Sequence, residues 1–147
     1  MKRFNAQECL KALGLEERGA VQKAIDQGVL DVCEPYVPMD LSAGASGGEL
    51  IRSGILNTEI GSGEVVWKTP YAHYVHEGVV YVDPVTGAAG FKTEDGWKSR
   101  SGVTKIPSER ELEYQGAPRR GAHWVDRAMQ DGGIKTVEDA ARKAVKK

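Results

Sequence analysis

The chain has 147 residues, 40% hydrophobic and 28% charged, a balance that fits one water-facing globular domain and excludes two independent enzyme domains, because domains cluster near ~100–150 residues. A formal charge of −1, from 20 basic and 21 acidic residues, excludes a surface that grips nucleic acid over its whole area. No apolar run approaches the roughly 18–20 residues that cross a bilayer, and the Met1-Lys2-Arg3-Phe4-Asn5 start is followed by charged sequence and not by a secretory apolar stretch, so the expectation is a chain that begins in a cytoplasm.

Asn5 with Glu8 three residues later resembles a capping box, and Cys9, Leu10 and Leu13 follow at helical spacing before Gly14, which predicts a short first helix. Val21, Ala24, Ile25, Gly28, Val29 and Val32 then form an apolar stripe, with Lys23, Asp26, Gln27 and Asp31 turned away; this is the main helix. It ends at or before Glu34, because Pro35 restricts the residue before it and lacks an N–H. Pro35-Tyr36-Val37-Pro38 reads as an extended connector. Cys9 and Cys33 lack C-x-x-C spacing and read as reduced, packed thiols.

Residues 41–48 are small and Gly/Ser-rich, a loop. Residues 49–53 read as one helical turn. Residues 55–60 and 64–69 read as two short strands of a hairpin around Gly61-Ser62-Gly63, closed by Pro70. Tyr71, Tyr74 and Val75 share a face if residues 71–77 are helical, and residues 79–82 return to strand. Residues 83–110 carry much Gly, Ser, Thr and charge, with Phe91, Trp97, Val103 and Ile106 as apolar anchors. So long an irregular section reads as a projecting loop or hairpin, rejoining the sheet through Leu112-Glu113-Tyr114 opposite residues 79–82. A turn over 116–121, a helix over 122–130, a break at Asp131-Gly132-Gly133 and a last helix over 137–145 complete the chain. The expected fold is a single α+β domain over 1–147: a small antiparallel sheet packed with the long N-terminal helix and the C-terminal helices.

No string amounts to an active site. His73 and His76 stand at i, i+3 beside Glu77, but the arrangement is neither H-E-x-x-H nor H-x-x-E-H, and a third ligand would have to be His123 or a distant acid; no metal or cofactor is expected. Gly44-Ala45-Ser46-Gly47-Gly48 matches G-x-S-x-G by letters, yet the residues before it do not make the strand a nucleophile elbow needs. Gly61-Ser62-Gly63 lacks the rest of a phosphate loop and reads as a turn. Trp97 with Lys98 and Arg100, and Arg119-Arg120 near Trp124, set cations beside aromatic faces. On a near-neutral chain these fit the rim of a protein interface, with Phe91 as a further anchor, better than a single-strand nucleic-acid site. Charge is divided unevenly: residues 1–64 hold 6 Lys/Arg against 10 Asp/Glu, and residues 65–147 hold 14 against 11. Such a division suits subunits that meet acidic region to basic region.

Several strings together resemble one family. Val21-Gln22-Lys23 running into Val29-Leu30 comes first, then Pro35-Tyr36-Val37-Pro38-Met39-Asp40 and Gly48-Glu49-Leu50-Ile51-Arg52-Ser53-Gly54. Thr58-Glu59-Ile60-Gly61-Ser62-Gly63, Thr69-Pro70-Tyr71-Ala72-His73-Tyr74-Val75-His76-Glu77-Gly78 and Arg120-Gly121-Ala122-His123-Trp124 follow in the family's order. The family is that of phage proteins labelled minor capsid protein, and through it the neck and tail-completion proteins of long-tailed phages. The chain departs from it at residues 41–47, where extra small residues intervene before the G-x-L turn and a Thr is missing. The resemblance implies a non-enzymatic structural subunit of the virion head-tail junction, assembled in the bacterial cytoplasm as a ring around the DNA channel. Its implied partners are other copies of itself, connector or stopper proteins and tail proteins, with DNA passing through without sequence-specific binding and no membrane. A tail-terminator ring and a nucleic-acid-binding module are the alternative readings.

Overall fold

The computed structural model describes residues 3–40 and 47–146; residues 41–46 of the loop expected over 41–48, with Ser46 of the G-x-S-x-G string, and the side chain of Trp97 lie outside the described residues. The first helix, α1 (Ala6–Leu13), begins where the Asn5 side chain accepts from the N–H groups of Gln7 and Glu8, and ends on Gly14 at φ 77°, as its local chemistry predicts. No residue of α1 is buried, so Cys9 is an exposed thiol and not a packed one. The main helix, α2 (Ala20–Cys33), stops one residue before Glu34. Its inner face differs from the predicted stripe. Val21, Asp26, Leu30 and Cys33 are the buried residues, whereas Ile25, Val29 and Val32 are half-buried. The helix has two covered sides: Leu30 and Cys33 enter the core, and Gly28 lets Val137 of a later helix approach, with 3.4 Å from a Cβ at Gly28 to Val137 Cγ2.

Pro35 does not force an extended chain. It occupies the first turn of a 3₁₀ helix, Glu34–Tyr36, where a missing N–H costs nothing, and the backbone becomes extended only at Val37. The predicted hairpin over 55–69 is absent from the described structure. Instead α3 (Glu49–Asn57) continues four residues past the predicted turn and buries Leu50, Ser53 and Gly54, and residues 64–69 run on without strand pairing. Leu50, Ser53, Gly54 and Asn57 recur at helical period, and this stripe, not the β-branched letters at 55–60, decides the conformation.

After α4 (Ala72–Glu77), capped by Gly78 at φ 81°, strand β1 (Val79–Val82) forms as predicted. The excursion beyond it carries its own hairpin, β2 (Phe91–Thr93) paired antiparallel with β3 (Gly96–Lys98). The chain rejoins β1 earlier than predicted. Strand β4 (Ile106–Glu111) pairs Val79 with Glu111 and Val82 with Ile106, with an irregularity between Val79 and Tyr81; of the predicted partner 112–114, only the Leu112 N–H reaches this edge, 2.9 Å from the Gly78 carbonyl. The projection therefore spans 83–105. Two short helices, α5 (Trp124–Ala128) and α6 (Ile134–Ala144), end the chain. Between them Gly132, at φ 100°, makes the kink that Asp131-Gly132-Gly133 announces.

Cys33, Val37, Leu50, Ala72, Trp124 and Ala128 make the core, with Trp67 packed against it; the Trp67 and Trp124 rings meet edge to face at 5.8 Å. Cys33 has no exposed surface, and its burial pushes the thiol up to about 11, an inert packed group. The fold is α+β with a small antiparallel sheet, and among the described residues no helix is long and apolar enough to cross a membrane.

Candidate assembly surfaces

The two most specific strings of the sequence form one corner. In the first, α4 ends with its His76 carbonyl accepting the His123 N–H at 2.9 Å, and Gly78 lies so close to the second that a Cβ there would stand 2.7 Å from Ala122 Cβ. A glycine is required at Gly78 both for the positive φ and for this approach. Tyr114 seals the corner by donating its hydroxyl to the Val75 carbonyl at 2.5 Å, and burial raises its phenol. Trp124, 2% exposed, carries the second string into the core.

The basic pair at residues 119 and 120 divides. The Arg120 guanidinium turns inward, donating to the carbonyls of Glu34 at 2.9 Å and Val37 at 2.6 Å, and so ties the corner to the end of α2. Arg119 remains on the exposed side, 6.0 Å from the Tyr36 ring centroid. Arg127, a cation that the sequence reading does not single out, packs over the same ring at 5.6 Å and donates to the carbonyls of Ala122 and Pro118. Tyr36 also donates to Asp131 Oδ2 at 2.9 Å, and that hydrogen bond, followed by burial, raises its phenol. The result is a hydrogen-bonded cationic and aromatic edge, with Arg119 its outward charge.

On the projection Arg100 is likewise engaged within the chain, donating Nε to Asp83 Oδ2 at 2.9 Å and a terminal nitrogen to Oδ1 at 3.1 Å. Asp83 also accepts from the N–H groups of Val85 and Thr86. These backbone bonds, with the guanidinium, hold its carboxyl below the ordinary carboxylate value despite burial. The fork clamps the base of the projection. Further out, Phe91 is 52% exposed beside a cavity of about 440 Å³ lined by Ala88, Ala89, Val103 and Arg100. Lys98 pairs with Asp95 at 3.3 Å on the hairpin.

Two apolar side chains that the sequence reading placed in a strand are displayed to solvent: Ile55 at 60% and Leu56 at 81%. A helical wheel of α3 sets both opposite Leu50 and Gly54, a signal visible once residues 49–57 are read as one helix. Phe4 and Val85 are further exposed apolar groups. Surfaces of this kind mark contacts with other proteins when apolar groups cluster and are rimmed by charge.

Among the histidines, His73 meets the Tyr74 and Tyr81 rings edge to face at 5.6 and 5.9 Å and is not in the group that His76 joins. His76 instead meets His123 and Asp126 across the corner. The chain matches no protein-family model, no curated protein and no solved structure.

Proposed function

We propose that this chain is a structural subunit of the phage head-tail junction, a neck or tail-completion protein that joins connector to tail in a ring around the DNA channel. The observation that carries the reading is the ordered set of strings from Val21 to Trp124. Two features of the fold support it. The strings Pro70-Tyr71-Ala72-His73-Tyr74-Val75-His76-Glu77-Gly78 and Arg120-Gly121-Ala122-His123-Trp124 build one corner through the His123 to His76 hydrogen bond, the behaviour of residues that specify a fold. A ring subunit also presents two different lateral surfaces to its neighbours, and this chain offers a clamped projection bearing Phe91 and, on α3, the exposed Ile55 and Leu56. Recognition then rests on apolar anchors, while the acidic and basic regions steer encounter.

Disrupting the gene in the phage that encodes it tests the reading. The expected phenotype is DNA-filled heads and free tails that fail to join, with joining restored by added purified protein. Infectious joined particles without the protein overturn the proposal, and tails of uncontrolled length would assign it to the terminator ring instead.

A further inference from the structure

The corner between α4 and α5 places three metal-ligating side chains together. His76, His123 and Asp126 each offer one ligand atom, all within 4.8 Å of one another. Local geometry explains the convergence. His76 lies in the last turn of α4, and its carbonyl accepts the His123 N–H at 2.9 Å, which docks the start of α5 against it. His123 is the N-cap residue of α5 at φ 48°, ψ 44°, a left-handed conformation uncommon outside glycine. Asp126 follows three residues later on the first turn, so it shares a face with His123. The half-buried His76 ring is held edge to face by Trp124 at 4.7 Å and by His123 at 5.1 Å.

We propose that His76, His123 and Asp126 form a site for a divalent transition ion of the zinc class, with the remaining coordination positions open to water. Two imidazoles and one carboxylate exclude the all-oxygen preference of calcium and magnesium and lack the thiolates that select copper(I). Zinc holds nitrogen and oxygen ligands at about 2.0–2.2 Å, so tetrahedral ligand atoms stand roughly 3.3–3.5 Å apart. Closure from separations of up to 4.8 Å therefore draws the ligand atoms together by at most about 1.5 Å. His123 and Asp126 are exposed, and their side chains supply this movement by rotation about their own bonds while His76 stays fixed. An ion there cross-links two strings that are distant in sequence, and so binds the folded chain in preference to the unfolded one.

Zinc chloride added to the purified full chain is the probe. The melting temperature should rise by about 5–10 °C when free zinc reaches a hundredfold over its dissociation constant. Cobalt(II) in its place should develop visible d–d absorption without the near-ultraviolet thiolate band that capture by the exposed Cys9 would produce. His123→Gly suits the left-handed backbone, and it and Asp126→Asn should melt as the parent does without zinc, yet lose the zinc-induced rise. His73→Ala should keep it. No rise in the parent, a rise that survives His123→Gly, a rise lost in His73→Ala, or a thiolate band would each overturn the site.

Discussion

Removing the Asp26 carboxyl group should loosen the contact between α2 and the turn over 60–63 more than any surface change on the same helix. Asp26 is 2% exposed. Its Oδ2 accepts the Gly61 N–H at 2.7 Å and the Gly63 N–H at 3.1 Å, while Oδ1 accepts Gln22 Nε2 at 2.8 Å. Asp26→Ala deletes all three acceptors. The Gly61 donor is buried and finds no replacement, at ~1–3 kcal/mol, whereas the Gly63 N–H and the Gln22 amide can turn to water and lose only part of ~0.5–1.5 kcal/mol each. The total is about 2–4 kcal/mol, or a melting temperature lower by roughly 5–15 °C for a chain of this size. Asp26→Asn should cost less than about 1.5 kcal/mol, because its remaining oxygen serves the glycines and Gln22 can flip to offer its own oxygen to the new NH₂. Asp31 provides the control. It accepts from Gln27 Nε2 at 2.8 Å with the same i, i+4 spacing, but in solvent, so Asp31→Ala should stay within ~0.5 kcal/mol. Urea unfolding followed by circular dichroism measures all three. Equal midpoints for Asp26→Ala and Asp31→Ala would refute the argument that burial makes the first carboxyl structural.

Gly54→Ala should destabilise the fold by ~1–3 kcal/mol despite alanine's better helix propensity, because the added Cβ would meet Trp67 Nε1 at 2.6 Å; a higher melting temperature, with unchanged tryptophan fluorescence, would show that Trp67 yields freely. Arg120→Ala should cost about 1–3 kcal/mol by orphaning the Glu34 and Val37 carbonyls, while Arg119→Ala stays within ~0.5 kcal/mol; thermal melts of the pair check the division. The depressed carboxyl of Asp83 makes its stabilising contribution fully present above the unfolded carboxylate value of about 3.9 and lost as pH falls through the lower folded value. Limited pepsin digestion, with each rate divided by that for an unstructured peptide substrate at the same pH, should therefore cut within residues 83–105 faster as pH drops through that window, with Asp83→Asn already sensitive above it; a normalised rate independent of pH in the parent would dismiss the clamp.

Where local chemistry is strong, the elements were legible in the letters alone. Asn5 and Gly14 delimit α1, Pro35 ends α2 as an α-helix, residues 79–82 are strand, and Gly132 breaks the final helical stretch: each outcome is set by the φ a residue can adopt or by one cap hydrogen bond. The projection was legible as well, since a long polar section with few anchors cannot bury itself. Phe91 lies exposed on strand β2 of its hairpin. Tertiary structure decided the rest. Strand β4 is mostly exposed and contains Pro107, so no side-chain alternation announces it; main-chain pairing with β1 selects it. Asp26 looks solvent-facing by period, and only the turn folded onto α2 supplies the donors that allow its burial. Arg100 and Arg120 look like free rim cations until distant segments bring Asp83 and two carbonyls to them. His76 likewise acquires His123 and Asp126, in place of the nearby His73, only when α4 and α5 meet. A residue's type and spacing determine what it can bond, but its partner is set by which distant backbone the hydrophobic core brings within about 3 Å of it.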